Sequence, residues 1–168
     1  MPKLSEINQK PPAYMAAIKA FVANPRGFLL IAGSNGVGKT FTARAIYEHF
    51  WTPVNDCQFW NQADLKIRWQ ELLAEYHTVS YFLSEIVKAP LLVLDDLGTT
   101  RPTEAFLEFL YIIGDKRHQK KHECGTIITT NMNVSSMREV FGDAFVSRTA
   151  SGICIRLDGE DRRREFNF

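Results

Sequence analysis

The chain has 168 residues, of which 45% are hydrophobic and 23% are charged, and its formal net charge is +1. This length suits one domain with a sizeable core. The near-neutral charge excludes a strongly basic protein that coats nucleic acid, though not local basic patches. No apolar run is long enough to span a bilayer and no signal peptide stands at the start, so we expect a cytoplasmic protein with no membrane partner.

Three cysteines, Cys57, Cys124 and Cys154, are scattered along the sequence. Their number and spacing match neither a disulfide framework nor a metal site. We therefore expect three mostly buried thiols in a reducing compartment.

The sequence predicts helices that alternate with apolar strands. The polar residues before Pro11-Pro12 are expected to be loose or extended, and a helix then spans residues 13–23. The predicted strands are residues 28–32, 57–60, 91–94, 126–130 and 153–157. The predicted helices between them are residues 41–50, 63–88 with a break near Thr78-Val79-Ser80, a stretch after Thr103, 135–141 and 144–150.

This alternation predicts an α/β fold of three layers, α/β/α, in which helices cover both faces of a five-stranded parallel sheet. Residues 1–27 are predicted to form an N-terminal lead-in with a short helix, and residues 28–168 the core. In such sheets ligands bind at the carboxyl ends of the strands. The candidate phosphate, magnesium and water-binding residues lie just after predicted strands.

The first of these positions is a phosphate-binding loop. Residues 33–40 read GSNGVGKT, the pattern G-x-x-x-x-G-K-T between a buried strand and a helix. Backbone N–H groups of the glycine-rich loop can face one anion, and the helix N-terminus adds the positive end of its dipole. Lys39 is predicted to reach the β- and γ-phosphates, and the Thr40 hydroxyl to hold Mg²⁺. The predicted nucleotide-binding residues are Ser34, Asn35, Gly36, Val37, Gly38, Lys39, Thr40 and Phe41.

Polar residues follow the next strands as well. Asp95 and Asp96 come directly after the strand 91–94, where Asp95 is predicted to hold Mg²⁺ through its water shell and Asp96 to orient or deprotonate a water. Asn131 is predicted to hold that water and sense the γ-phosphate, the alternative being a turn residue. Arg148 is either an arginine finger for a neighbouring subunit's site or a salt-bridged surface residue.

The segments GSNGVGKT, LLVLDDLG, TIITTN, FGDAFVSR and IRLDGEDRR, in this order, resemble AAA+ ATPases of the DnaC/DnaI helicase-loader and IstB transposition-helper group. The resemblance covers residues 28–164. It implies a P-loop NTPase fold of AAA+ type without a C-terminal lid. It also implies that the protein uses ATP and Mg²⁺ and works as a homo-oligomer on DNA. By this resemblance the Walker A residues are Lys39 and Thr40, the Walker B residues Asp95 and Asp96, sensor 1 Asn131 and the finger Arg148.

The sequence also departs from this group. Ala144 stands where the family usually has another arginine, and few residues precede the phosphate loop, where relatives carry a partner-binding region. The chain is either a minimal ATPase, or its partner domain lies in another chain. Arg117 matches a common arginine of the family, for which the resemblance leaves a phosphate-facing or an interface role.

Some basic segments have two interpretations. Residues 63–88 resemble the helical insert of initiators and loaders, where Lys66 and Arg68 near Trp69 could contact nucleic acid; the alternative is an amphipathic core helix. The basic residues within 116–122 and 162–164 could bind phosphates or form solvated surface.

Three functions are open at this stage. The first is an ATPase that assembles around single-stranded DNA and serves a replicative helicase, or in the alternative a transposase. The second is a small-molecule phosphotransferase, which needs an acceptor pocket and usually a basic lid. The third is a module that holds a nucleotide for structure, which does not require Asp96 and Asn131 in position.

Overall fold

The computed structural model describes residues 2–9, 11–75, 78–157 and 159. A five-stranded sheet with the order β2-β3-β4-β1-β5 lies at its centre, and every neighbouring pair of strands is parallel. The strands are β1 (Gly27–Gly33), β2 (Gln58–Asn61), β3 (Leu91–Leu97), β4 (Gly125–Thr130) and β5 (Ile153–Leu157). The predicted α/β fold with a five-stranded parallel sheet is thus confirmed.

Helices cover both faces of this sheet. They are α1 (Pro12–Ala23), α2 (Lys39–Phe50), α3 (Gln62–Leu73), α4 (Thr78–Lys88), α5 (Glu104–Gln119), α6 (Val134–Phe141) and α7 (Asp143–Thr149), with a 3-10 helix at Leu4–Gln9. Phe28 and Leu30 of β1 pack with α3 to α7, whereas Leu29 and Ile31 pack with α1, α2 and the 3-10 helix. Successive residues of a strand face opposite sides, so one apolar run supplies both halves of the core.

Burial follows the position of each strand in the sheet. The central strands β3, β4 and β1 are almost wholly buried, whereas the edge strands β2 and β5 are partly exposed. Continuous apolar runs are what a parallel strand needs when helices cover both its faces. The candidate site lies at the carboxyl ends of the central strands.

Several details correct the sequence predictions. The lead-in is not loose: Ile7 of the 3-10 helix is buried at 1% exposure in the same cluster as α1 and α2, because that face covers its apolar side chain. The break in the region 63–88 precedes Thr78, since α3 ends at Leu73 and α4 begins at Thr78. Cys57 and Cys124 are buried as expected, but Cys154 is exposed because it lies on the edge strand β5.

The chain after β5 is described only at Gly159, so the predicted basic run 162–164 lies outside the described residues. Within the described part of the chain, no helical lid follows β5. None of the described helices is long and apolar enough to cross a membrane.

Candidate nucleotide-binding site

The loop between β1 and α2 has the backbone of an anion-binding turn. Gly36 and Gly38 have φ angles of +75° and +91°, a left-handed conformation that costs glycine little. Gly38 is also the N-cap of α2, and no side chain caps that helix end. A helix N-terminus without a side-chain cap is a place where an anion can bind, and the helix dipole also favours it.

Lys39 begins α2 and folds back over the loop. Its ammonium Nζ donates to the carbonyl oxygens of Gly33 at 3.0 Å and Ser34 at 2.8 Å, and the residue is 6% exposed. Gly33 itself must lack a side chain, because a Cβ there would collide with the carbonyl oxygen of Leu157 in β5. The close approach of β5 and the lysine together fix the start of the loop.

A cavity of about 420 Å³ opens above this loop. Its lining consists of Asn35, Gly36, Gly38, Lys39, Thr40, Phe41, Asp96, Thr99 and Asn131. Two of the predicted loop residues are not part of this lining: the side chain of Val37 is buried in the core, and the Ser34 hydroxyl donates to the carbonyl oxygen of Gly159 at 3.2 Å. The phosphate loop and the residues at the ends of β3 and β4 thus share one cavity.

Asp95 joins the loop to the sheet. It is 4% exposed, and its Oδ1 accepts hydrogen bonds from the Thr40 hydroxyl at 3.1 Å and the Thr129 hydroxyl at 2.6 Å. Burial raises the pKa of this carboxyl above its usual value; the charge of Asp96 adds to the rise, and the two hydroxyl hydrogen bonds oppose it. A neighbouring cation would offset the cost of this buried charge.

The oxygen atoms of Thr40 and Asp95 also fit a magnesium ion. Within the described part of the chain, no three His, Cys, Asp or Glu residues form a metal cluster. A magnesium ion that binds with a nucleotide does not need one, because it uses one or two carboxylates, water and phosphate oxygens. The hydroxyl of Thr40 and the carboxylate of Asp95 are hard oxygen ligands at the edge of the phosphate loop.

Asp96 breaks the regular alternation of β3. Its φ is +55°, the one positive value outside glycine among the described residues, and the β3–β4 register shifts between Leu94 and Leu97. Consecutive strand residues normally face opposite sides of a sheet. This irregularity places Asp96 on the cavity wall while its neighbour Asp95 contacts Thr40 of the same site.

Asn131 directly follows β4 and lies opposite the loop. Its Nδ2 donates to Oδ1 of Asn35 at 3.4 Å, and it lines the cavity beside Asp96. An amide in this position can both donate and accept a hydrogen bond without adding charge. The cavity therefore brings together a cation, hydroxyls, the carboxylate of Asp96 and an amide around the phosphate loop, with Asp95 bonded to Thr40 beside it.

The model of the family described as IstB-like ATP-binding protein matches residues 4–156. The chain belongs to this family. No curated protein matches the sequence significantly.

Solved structures show the fold of this IstB-like chain. The DnaC helicase loader is 28% identical with a TM-score of 0.74, over 88% of this chain and 89% of that one. DnaI is 22% identical with a TM-score of 0.69, over 93% of this chain and 89% of that one. AMPPCP-bound DnaA from Aquifex aeolicus is 21% identical with a TM-score of 0.77, over 90% of this chain but 48% of DnaA, so the chain spans about half of that relative. The chain is an ATP-binding protein with an AAA+ core.

Arg148 of the IstB-like chain lies outside the cavity of its own molecule. Its Nε forms a 2.9 Å ion pair with Oδ1 of Asp115 on α5, and its Nη1 donates to the Ala144 carbonyl oxygen at 3.0 Å. Within one chain, this geometry is that of a salt-bridged surface arginine, the alternative to a finger. A finger acts on another subunit, so the finger role stays a prediction.

Arg117 has neither of the roles that the family resemblance left for it. It is 1% exposed, so a phosphate-facing or interface position is wrong. Its guanidinium donates instead to five partners: the carbonyl oxygens of Ile86, Val87, Ala89 and Gly125 and the Thr126 hydroxyl. Burial lowers its pKa to about 10, so the side chain keeps its charge at neutral pH. Arg117 ties α5 to the end of α4 and the start of β4.

Two residues that support the site, Thr129 and Gln62, show no functional signal in the sequence. Thr129 contacts Asp95 and also accepts the Asp96 N–H at 2.9 Å, although in the sequence it is only a β-branched residue of a strand. Gln62, the first residue of α3, is 3% exposed. Its amide donates to the Thr100 carbonyl at 2.7 Å and accepts the Gly98 N–H at 2.7 Å. A polar residue at a helix start gives no sign of such distant partners.

Proposed function

We propose that this chain hydrolyses ATP with Mg²⁺ and works as an accessory ATPase on DNA, with the loading of a replicative helicase as the favoured role. The observation that carries the proposal is the 3.1 Å contact between Asp95 and Thr40, a residue of the cavity that Asp96 and Asn131 also line. A module that only held a nucleotide would not need these last two residues there.

Each residue has a part in hydrolysis. The loop N–H groups and the Lys39 ammonium bind the β- and γ-phosphates, for which Lys39 exchanges its bonds to Gly33 and Ser34. Thr40 and Asp95 would hold a magnesium ion, which would neutralise phosphate charge when bound. Asp96 orients the attacking water and takes up its proton as the water oxygen bonds to the γ-phosphorus and the bond to the bridging oxygen breaks.

The cavity is incomplete for fast hydrolysis within one chain. Of the described residues that line it, Lys39 is a cation and none is an arginine. A second positive group stabilises the charge of the transferring phosphoryl group, and arginine fingers often supply it from another subunit. We therefore expect an ATP-bound homo-oligomer in which Arg148 of one chain completes the site of the next.

The role on DNA is supported by the proteins to which the chain is similar. One matching structure is the DnaC helicase loader, and another is the replication initiator DnaA bound to AMPPCP and single-stranded DNA. The family description favours a second candidate, an IstB-like transposition helper. Both roles use the same ATPase chemistry and differ in the partner protein, a replicative helicase or a transposase.

A small-molecule phosphotransferase has less support. A second cavity, of about 390 Å³, opens next to Asn131, and its lining combines apolar residues such as Leu30 and Met137 with the polar residues Asn133 and Arg156. The family description and the name of the DnaC helicase loader mention no small-molecule acceptor that would bind there. Hydrolysis, with water as the acceptor, requires no such pocket.

ATP turnover measured across a range of protein concentrations, with and without single-stranded DNA, tests the proposal. Turnover per chain should rise steeply with concentration and respond to the DNA. Lys39→Ala should lose ATP binding, whereas the control Lys19→Ala on the exposed part of α1 should keep it. Turnover that is absent, or that needs a small acceptor, would refute the proposal.

A partner assay distinguishes the two roles. The replicative helicase and the transposase are each mixed with the chain, ATP and DNA. Deposition of the helicase on circular single-stranded DNA supports loading, and stimulation of strand transfer supports the transposition role. An active ATPase that does neither would contradict both.

A further inference from the structure

We propose that Asp115 and Tyr111 of α5 are positioning residues for Arg148, and that they hold its guanidinium in the orientation in which it serves a neighbouring chain. The inference rests on the proposed function, because it assumes that hydrolysis uses Arg148 in trans. It assigns a role to a surface that lies away from the nucleotide cavity of the same chain.

The contacts of Arg148 restrain two of its three nitrogens. Nε pairs with Oδ1 of Asp115 at 2.9 Å, and Nη1 donates to the carbonyl oxygen of Ala144 at 3.0 Å. The carbon Cζ lies 5.0 Å from the centre of the Tyr111 ring, within the range of a cation–π contact. Nη2 donates to no other described residue, which leaves one edge of the guanidinium for an external anion.

Asp115 is itself fixed. Its second oxygen, Oδ2, accepts a hydrogen bond from Nε2 of Gln119, one turn further along α5, at 2.9 Å. Tyr111 lies one turn earlier on the same helix, and residues four apart share a helix face. The side chains at positions 111, 115 and 119 therefore form one row on α5, and this row contacts Arg148 of α7.

This ion pair is more shielded than the others. The side chains of Arg148 and Asp115 are 27% and 33% exposed, whereas every side chain in the other three ion pairs of the described residues is at least 43% exposed. Exposed ion pairs are screened by water and pay side-chain entropy. A half-buried pair with a second hydrogen bond on each partner defines the side-chain position better.

The backbone explains why the two helices come so close. Gly114 of α5 packs against the ring of Phe145 of α7, and a Cβ at Gly114 would lie 3.1 Å from that ring. Without a side chain at this position, α7 approaches α5 closely enough for Arg148 to reach Asp115 directly. Gly114 and Phe145 are both buried, so this part of the arrangement belongs to the core.

A restrained arginine has an advantage in trans catalysis. A free arginine side chain loses rotamer entropy when it docks on a phosphate, and that cost weakens the contact. In this chain the rotamer entropy of Arg148 is already lost on folding, so docking on a phosphate would cost less. A misplacement of about 1 Å can lower a rate by about a hundredfold, so loss of the Asp115 contact should reduce turnover more than it reduces ATP binding.

Mixed oligomers separate the chain that donates the arginine from the chain that hydrolyses ATP. An Asp96→Asn chain supplies Arg148 but cannot activate water, and an Arg148→Ala chain has an intact cavity but no arginine. When the two are mixed with ATP, turnover should exceed that of either alone. Asp115→Asn or Tyr111→Leu is then added to one chain or to the other.

The expected result depends on which chain carries the change. In the donor chain, Asp115→Asn should lower the recovered kcat by about tenfold to a hundredfold with an unchanged KM for ATP. In the hydrolysing chain the same change should have no effect. Glu123→Gln, which removes the carboxylate of the exposed pair with Lys120, is the matched control in both chains. Thermal melting of each variant checks that it is folded, and Tyr111→Leu serves as the second variant.

Three results would overturn the inference, and they are distinguishable. If mixing recovers no turnover, Arg148 is not a finger and the shared site of the proposed function fails as well. If turnover is recovered but both donor-chain changes behave like Glu123→Gln, the positioning role fails alone. If Asp115→Asn in the donor raises turnover, Asp115 restrains Arg148 instead of presenting it.

Discussion

The hydroxyl of Thr129 donates a hydrogen bond to Oδ1 of Asp95 at 2.6 Å. The same hydroxyl oxygen accepts the backbone N–H of Asp96 at 2.9 Å. One side chain of β4 therefore fixes both carboxylate residues of β3, including Asp96 with its left-handed backbone. The geometry of the proposed metal and water sites depends on this cross-strand contact.

We predict that Thr129→Val lowers kcat for ATP hydrolysis and destabilises the fold by about 1–3 kcal/mol. Valine has nearly the same shape but leaves the buried Asp95 oxygen with one donor fewer and the Asp96 N–H without its acceptor. Thr129→Ser keeps the hydroxyl and is the control. Steady-state kinetics and urea unfolding measure the two effects, and a valine variant with the kinetics of the unchanged chain would contradict the prediction.

Asp95→Asn should stabilise the protein in the absence of nucleotide and magnesium while it abolishes hydrolysis. Burial raises the pKa of Asp95, so at neutral pH the fold holds a carboxylate that it disfavours, and removal of the charge should raise the free energy of unfolding. Asparagine keeps an oxygen acceptor for Thr40 and Thr129.

The sign of the pH dependence provides a further check on Asp95. A folded-state pKa above the unfolded value means that the folded chain binds the proton more readily, so the unchanged chain gains stability relative to the variant as the pH falls. The difference should shrink through the raised pKa and vanish below the usual carboxyl value. A difference that grows in acid would show that Asp95 is not destabilised by its burial.

Replacement of Arg117 should lower the free energy of unfolding without a direct effect on nucleotide binding. Arg117→Leu leaves four carbonyl groups and the Thr126 hydroxyl without their donor, at a cost of about 2–4 kcal/mol. Arg117→Lys should recover little, because an ammonium has fewer donors and lacks the planar fork.

Arg68→Lys, on an exposed pair with Glu71, is the control for Arg117 and should change stability by less than about 0.5 kcal/mol. Calorimetric titration of ATP, under conditions where each variant is folded, measures binding. A folded Arg117 variant with much weaker ATP affinity would indicate a role beyond the core.

Thiol modification should distinguish Cys154 from the other cysteines. Cys154 is exposed, whereas Cys57 and Cys124 are buried, so one thiol per native chain should react with a water-soluble disulfide reagent. Partial burial raises the pKa of the Cys154 thiol, so the reaction should be slow at neutral pH and accelerate as the pH rises. Cys154→Ser should remove this phase; a fast reaction that persists would place another thiol at the surface.

Much of the fold and part of the site could be predicted because their signals are local. Apolar runs bounded by turns indicated the central strands. The spacing of the glycines at residues 33–40 predicted the conformation of the phosphate loop. The polar residues 95, 96 and 131 stood out because each follows an apolar strand directly. The structure brings residues 96 and 131 to one cavity wall, with residue 95 bonded to Thr40 beside them.

The features that could not be predicted depend on distant parts of the chain. Arg117 reads as one cation in a charged segment, and its burial depends on carbonyl groups from α4 and β4. The positive φ of Asp96 depends on the shifted register with β4 and on Thr129. No pattern within one segment contains these partners.

The amide of Gln62 connects α3 mechanically to the candidate site. It begins α3 and bonds to Gly98 and Thr100, in the loop that continues from Asp96. A force on α3 must therefore either break these hydrogen bonds or move the loop two residues beyond Asp96. A protein that binds the outer face of α3 could thus act on the wall of the candidate nucleotide cavity.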